Sequence, residues 1–242
     1  MIIQACINGA RTPDFHPALP LTADAMAQDS TACIAAGAAE LHVHPRGEDG
    51  SESLSAAAMD KTVLAIRKAC PGTFIGVSTG AWIEPSERQT LQSIGNWNEL
   101  PDYASVNLSE TAAPEVMELL QKRGIGIEAG LASTDDAARF VNFDIGRRAL
   151  RILLEIEEQD IGEAQTVLEG IVAILDKIEI RKPILLHGFD ATIWHFVEVA
   201  ARRRWSTRIG LEDGRTLPDG KLTANNAAMI AAARSIRRKA MA

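Results

Sequence analysis

The chain has 242 residues, 46% hydrophobic and 24% charged, with a net charge of -7 from 32 acidic and 25 basic side chains. This is the composition of a globular protein, and its acidic balance argues against a general nucleic-acid or anionic-membrane surface. Cys6, Cys33 and Cys70 are odd in number and far apart in apolar surroundings, so they read as reduced core residues of a cytosolic protein rather than a disulfide framework.

Met1-Ile2-Ile3-Gln4 lacks the charged start of a signal peptide, and no apolar run approaches a membrane span. Ile2 to Ile7 reads as a first strand, closed by Asn8-Gly9. Thr22 opens a helix that runs to the stop signal Gly37. Ala39 to Val43 is the second strand, and Ser55 to Ala69 the helix behind it. Thr73 to Val77 is followed by a helix from Pro85 to Ile94, and Tyr103 to Asn107 by one from Ala113 to Arg123. Gly124 to Glu128 makes a short fifth strand before the helix Ser133 to Phe143. Ala149 to Ile156 pairs with the helix Ile161 to Lys177, and Lys182 to His187 with Thr192 to Arg203. Arg208 to Leu211 and Thr223 to Arg238 complete the series.

Eight strand–helix units without a linker or composition break predict a parallel sheet covered by helices, here an α/β fold of the (βα)8 TIM-barrel type. One domain is expected over residues 1–242. A doubly wound dinucleotide-binding sheet lacks its fingerprint, because no strand is followed by Gly-x-Gly-x-x-Gly.

A barrel carries its active site at the C-terminal ends of its strands. There the sequence places His42 and His44 after strand two, Ser78 and Thr79 after three, Asn107 and Ser109 after four, and Glu128 after five. His187 follows strand seven, Arg208, Glu212 and Asp213 belong to strand eight and its end, and Arg11 lies in the first loop. Strand six ends in Glu155-Ile156-Glu157, which reads as a solvated start to the next helix. His42 and His44 share one face of an extended strand, since side chains alternate with period two. That pair suits a single ion, and zinc takes such imidazoles readily. His187, before Gly188, is read as structural, and the run Arg202-Arg203-Arg204 as a solvated helix end.

These residues resemble a known family. Asn8-Gly9-Ala10-Arg11, His16-Pro17-Ala18-Leu19-Pro20-Leu21-Thr22, Ala36-Gly37-Ala38, Leu41-His42-Val43-His44-Pro45-Arg46 and Asp49-Gly50 follow the opening of the β-keto acid cleavage enzymes. Ser78-Thr79-Gly80, Ala104-Ser105-Val106-Asn107 and Arg208-Ile209-Gly210-Leu211-Glu212-Asp213 continue the match. The resemblance implies a cytoplasmic, zinc-dependent TIM-barrel enzyme, a dimer or tetramer, that condenses a β-keto acid with acetyl-CoA. The products would be acetoacetate and a new acyl-CoA. It also implies zinc on His42, His44 and Glu212, a reaction site of Ser78, Glu128, Arg208 and Asp213, and substrate contacts from Asn107, Thr79 and Arg11.

Three departures stand beside it. Arg11 occupies a place where an acidic residue is expected in the best-known members, which bind an amino-bearing keto acid, so a neutral or anionic substrate tail is favoured. The loop after strand six is short, and the chain reaches Ala242 soon after its last helix. A mononuclear hydrolase or lyase that does not use CoA is the alternative, and a barrel acting only as a binding protein is a third. A two-metal amidohydrolase is disfavoured, because no histidine lies between His44 and His187.

Overall fold

Short runs of β-branched and leucine side chains alternate with helical stretches, and five of the helices open on a residue whose side chain holds the first turn. The computed structural model describes residues 1–143, 148–177 and 181–241. Its strands are β1 (Ile3–Cys6), β2 (Glu40–Val43), β3 (Phe74–Ser78), β4 (Tyr103–Asn107), β5 (Gly126–Leu131), β6 (Arg151–Ile156), β7 (Ile184–Gly188) and β8 (Ser206–Ile209). All neighbours pair in parallel, and β8 returns to β1, which closes the barrel.

The helices are α1 (Ala23–Ala36), α2 (Ala56–Ala69), α3 (Glu87–Gly95), α4 (Ala113–Lys122), α5 (Thr134–Asn142), α6 (Ile161–Leu175), α7 (Ile193–Arg203) and α8 (Asn226–Met241). Thr22, Ser55, Ser86, Ser133 and Asp160 each accept from a backbone N–H of the first turn, satisfying donors the helix leaves open. The (βα)8 barrel expected from the alternation is therefore the observed fold.

Several boundaries differ from the sequence reading, and three of them bear on the site. The fifth strand starts at Gly126 and runs to Leu131, because Gly124 is in a left-handed turn (φ 75°) that still belongs to the end of α4. The eighth strand is Ser206–Ile209, earlier than expected, so Arg208 lies within it. The last helix begins at Asn226, whose side chain does other work. Its Oδ1 accepts from Leu211 N at 2.6 Å, and its Nδ2 donates to Ile7 O and Asp29 Oδ2 at 2.9 and 2.8 Å. One amide thus ties the ends of β1 and β8 to α1.

The strands face two environments. Leu41, Val43, Ile75, Val77, Ile127, Ala129, Ile152 and Leu154 point outward into an apolar shell shared with the helices. The alternate residues point into the barrel and are mostly polar, as the period of two requires. Helices return antiparallel to the strands, so the end of α7 meets the start of β8. Arg202, Arg203 and Arg204 therefore lie at the face opposite the strand C-terminal ends, and Arg203 pairs with Glu169. They are out of reach of a ligand at the mouth. No described helix is long and apolar enough to cross a membrane.

Asp29 offers a measurable consequence. Burial pushes its carboxyl up to about 6, against the hydrogen bonds from Asn226 and Cys33 that favour its charge. A folded-state value above the unfolded one means the folded chain keeps a proton the unfolded chain has lost. This stabilising contribution is complete below the unfolded value and is lost as pH rises through about 6. Urea unfolding from pH 4.5 to 7.5 should show this loss, and Asp29→Asn should flatten the slope.

Candidate metal and substrate site

The strand C-terminal ends open into a pocket of about 390 Å³. His42 and His44 line it from β2 and its end, Ser78 from β3, Ser105 and Asn107 from β4, and Glu155 from β6. Arg208 from β8, with Glu212 just beyond it, completes the floor, while Arg11, Trp82, Glu157 and Phe189 form the rim.

His42 and His44 point to one side, as their spacing predicts. Their Nε2 atoms are 3.2 Å apart, and Glu212 Oε2 stands 3.9 and 3.6 Å from them. This carboxylate oxygen is sealed from solvent and has no hydrogen-bond partner among the described residues. Ligand atoms bound tetrahedrally at about 2.0–2.1 Å from one zinc stand about 3.3 Å from each other. Two imidazoles and an orphaned carboxylate oxygen at these separations fit one divalent cation. The three residues are also the group of ligating side chains brought together among the described residues.

Local structure explains why they meet. Gly9, at φ 54°, packs against Glu212, and a Cβ there would fall 2.5 Å from its Cγ. Arg46 donates to Gly9 O and to Arg11 O, which fixes the same loop. His44 Nδ1 faces Glu52 Oε1 at 2.5 Å, and Glu52 Oε2 accepts from Trp82 Nε1 at 3.0 Å. Glu52 thus holds His44 by the nitrogen not turned to the pocket, the arrangement that fixes a metal-binding tautomer.

The charges are tightly coupled. Burial holds the His42 imidazole well below its ordinary value. Burial acts the same way on His44, but Glu212 and then Glu52 outweigh it and lift that ring to about 9. Burial also opposes the Glu212 carboxylate, and Arg208 with the two histidines holds it well below the usual range. Arg208 Nη2 donates to Glu212 Oε1 at 2.7 Å and to Glu155 Oε1 at 3.3 Å, while its Nε and Nη1 are buried without a hydrogen-bond partner among the described residues.

The remaining expected residues divide in two. Ser78 and Asn107 line the pocket. Thr79 does not: its hydroxyl donates to Ser105 O at 2.7 Å and holds β3 against β4. Arg11 reaches the rim, but its guanidinium is spent on Glu212 O, Asp213 O and the Asp190 carboxylate, and it stacks on Phe15 at 4.3 Å. Glu128 lies inside β5, not after it, because that strand is longer than expected. It is fully buried below the pocket, paired with Arg151 at 2.5 Å and 4.0 Å from Arg208 Nη1. Asp213 is also fully buried and does not reach the pocket.

Two residues read otherwise from the sequence belong here. Glu155 is not a solvated helix start. It lies within β6, two steps of the alternation from the inward-facing Arg151, and turns into the barrel mouth. The even spacing Arg151, Leu153, Glu155 carried that signal. His187 is packed between Asp213 and Glu155. Glu52, in an irregular loop, left no periodic signal at all.

The family profile of the β-keto acid cleavage enzymes matches residues 1–171, well over half of the chain. The chain belongs to this family. It is 34% identical over 93 residues to the 3-keto-5-aminohexanoate cleavage enzyme of Fusobacterium nucleatum subsp. nucleatum, covering 38% of this chain and 34% of that one. It is 35% identical over 81 residues to the 3-oxoadipate:acetyl-CoA acetyltransferase of Cupriavidus necator, covering 33% and 28%. The matched stretches span about a third of the length of these relatives. The apo structure of ObcA superposes with a TM-score of 0.72, over 90% of this chain and 61% of that one, at 15% identity. That last likeness is one of fold.

Below the pocket, Arg151 joins Glu40 and Glu128 across the barrel, while Gln4 Nε2 donates to both carboxylates and to Tyr103 Oη. Removing one partner of a buried ion pair costs about 3–5 kcal/mol, because the other charge is left without a match. Arg151→Met should lower the unfolding free energy by that order in a denaturant titration, whatever the ligand state of the pocket.

Proposed function

We propose that this chain is a zinc-dependent β-keto acid cleavage enzyme that exchanges acyl groups between a β-keto acid and acetyl-CoA, giving acetoacetate and a new acyl-CoA. The observation that carries the reading is the donor set of His42, His44 and the orphaned Glu212 oxygen, placed beside the unpartnered donors of Arg208 in one pocket. Family membership supports it.

His42, His44 and Glu212 would hold the ion, with Glu52 and Arg208 fixing His44 and Glu212 from behind. When bound, zinc supplies the Lewis acidity that polarises a keto carbonyl and steadies the charge that develops when a C–C bond breaks. Arg208, which lines the pocket beside Glu212, would donate to the substrate carboxylate, an anion that guanidinium groups bind with directional hydrogen bonds. Ser78 and Asn107 supply further polar contacts at the wall of the pocket.

Arg11 favours an anionic substrate tail less than its charge suggests, because Asp190 already neutralises it. Across the rim, Glu157 lines the pocket and forms no ion pair among the described residues, and burial and the neighbouring Glu155 raise its carboxyl. Neutral or cationic tails are therefore the proposed preference. The cytoplasmic location and the dimeric or tetrameric state belong to the same proposal.

The loop from β6 to α6 holds only residues 157–160, and this short connection is what favours the second reading, a metal-dependent hydrolase or lyase without CoA. Two measurements separate them. Metal-stripped protein titrated calorimetrically with zinc should bind one ion per chain, and His42→Ala or His44→Ala should weaken this at least 100-fold. Mass spectrometry with β-keto acids of acidic, neutral and basic tails should then detect acetoacetate and a new thioester only when acetyl-CoA is present. Stoichiometric metal with cleavage that ignores acetyl-CoA would transfer the assignment to the hydrolase or lyase.

A further inference from the structure

Trp82 stands at the lip of the pocket, 56% exposed, in the loop that follows β3. An indole so exposed adds little to the core, yet its loop is fastened on both sides. Ile83 N donates to Gly80 O at 3.0 Å, which closes a tight turn. Towards β4, Ala81 N donates to Glu110 Oε1 at 2.9 Å, the oxygen that also accepts from the pocket-lining Asn107. Towards the loop after β2, Glu84 Oε1 accepts from Leu54 N at 3.0 Å. Leu54 O in turn accepts from the buried Trp97 Nε1 at 2.7 Å.

The ring itself is seated on Gly80. A Cβ there would fall 2.3–2.5 Å from three of its carbons, so the indole lies where only a glycine leaves space. In this seat Trp82 Nε1 donates to Glu52 Oε2 at 3.0 Å, while Glu52 Oε1 faces His44 Nδ1 at 2.5 Å.

The backbone of His44 is already fixed. Its N–H donates to Asn8 Oδ1 and its carbonyl accepts from Asn8 Nδ2, each at 2.9 Å. What is left to set is the angle of the ring, and Glu52 meets the ring at its outer nitrogen. A carboxylate on a flexible stem can aim an imidazole only as well as it is itself aimed. Held by one oxygen, Glu52 would pivot about its bond to His44. The indole N–H on the second oxygen removes that pivot.

We propose that Trp82 is a positioning residue for the metal site, acting through Glu52 to set the angle at which His44 presents its Nε2. The lip of the pocket is thereby tied to the ion by three side chains in line. This rests on the zinc-binding part of the function proposed above and on none of its acyl chemistry.

The test uses the full chain, stripped of metal and titrated calorimetrically with zinc. Trp82→Phe keeps an aromatic ring and removes the N–H. It should weaken zinc binding about 10-fold, the lower end of what the loss of a group behind a metal ligand costs. The denaturation midpoint of the metal-free protein should not move, because the indole is exposed. Glu52→Ala should weaken binding at least as much. The double variant should then bind no more weakly than Glu52→Ala alone, since both changes act through one carboxylate. Cobalt(II) in place of zinc should show an altered visible absorption in Trp82→Phe, a change that a residue merely shaping the loop would not cause. Gly80→Ala checks the same link with the indole retained, because the added Cβ drives the ring from its seat, and it too should weaken zinc binding. Unchanged zinc affinity in Trp82→Phe or Gly80→Ala, an unchanged cobalt spectrum, or additive losses in the double variant would overturn the proposal. Wild-type protein that binds no zinc would instead refute the metal site itself.

Discussion

Charge inside the barrel has to be matched without water, and Arg208 is where the matching is tightest. Glu40, Glu128, Glu155, Glu212 and Asp213 all face the interior, against the guanidinium groups of Arg151 and Arg208. Isolated buried ions cost several kcal/mol each unless paired. Arg151 serves the lower carboxylates, while Arg208 is shared between Glu155 and Glu212 and approaches Glu128. The remaining negative charge draws protons onto His44 and His187, both raised above their ordinary values despite burial. A divalent cation on His42, His44 and Glu212 would answer the same deficit from the other side.

The loops serve this electrostatic arrangement more than they decorate the barrel. The turn after β1 is held by Arg46 and pressed against Glu212 at Gly9, and Arg11 clamps the backbone of the turn after β8. Asn226 closes the same seam from the helical side. The first and last βα units therefore position the carboxylate that β2 needs for its histidine pair. His42 stands on a strand, His44 and Glu212 in the loops just past β2 and β8, and the contacts of those loops set their aim.

What the sequence made legible follows from periodicity. The alternation of strand and helix gave the barrel, and the spacing of two placed His42 beside His44. Long-range closure could not be read that way. Glu128 looked like a strand-end residue because the left-handed turn at Gly124 hid the true start of β5. Glu155 looked solvated because Glu157 and Glu158 follow it, although its register with Arg151 put it inside. Glu52 gave no signal, since its place beside His44 depends on the path of an irregular loop. Asp213 was found by its neighbour Glu212, but one residue along a turn reverses which side of the wall a side chain meets.

Gly130 and Glu155 occupy a single volume from two adjacent strands. A side chain at 130 would meet the carboxylate end of Glu155 and the amide end of Asn107, so its effect depends on whether those two ends turn aside. Room at 130 is thus set jointly by the side chains at 155 and 107. The order in which such changes occur then decides which are permitted, so this corner of the barrel carries a history-dependent constraint that neither residue holds alone.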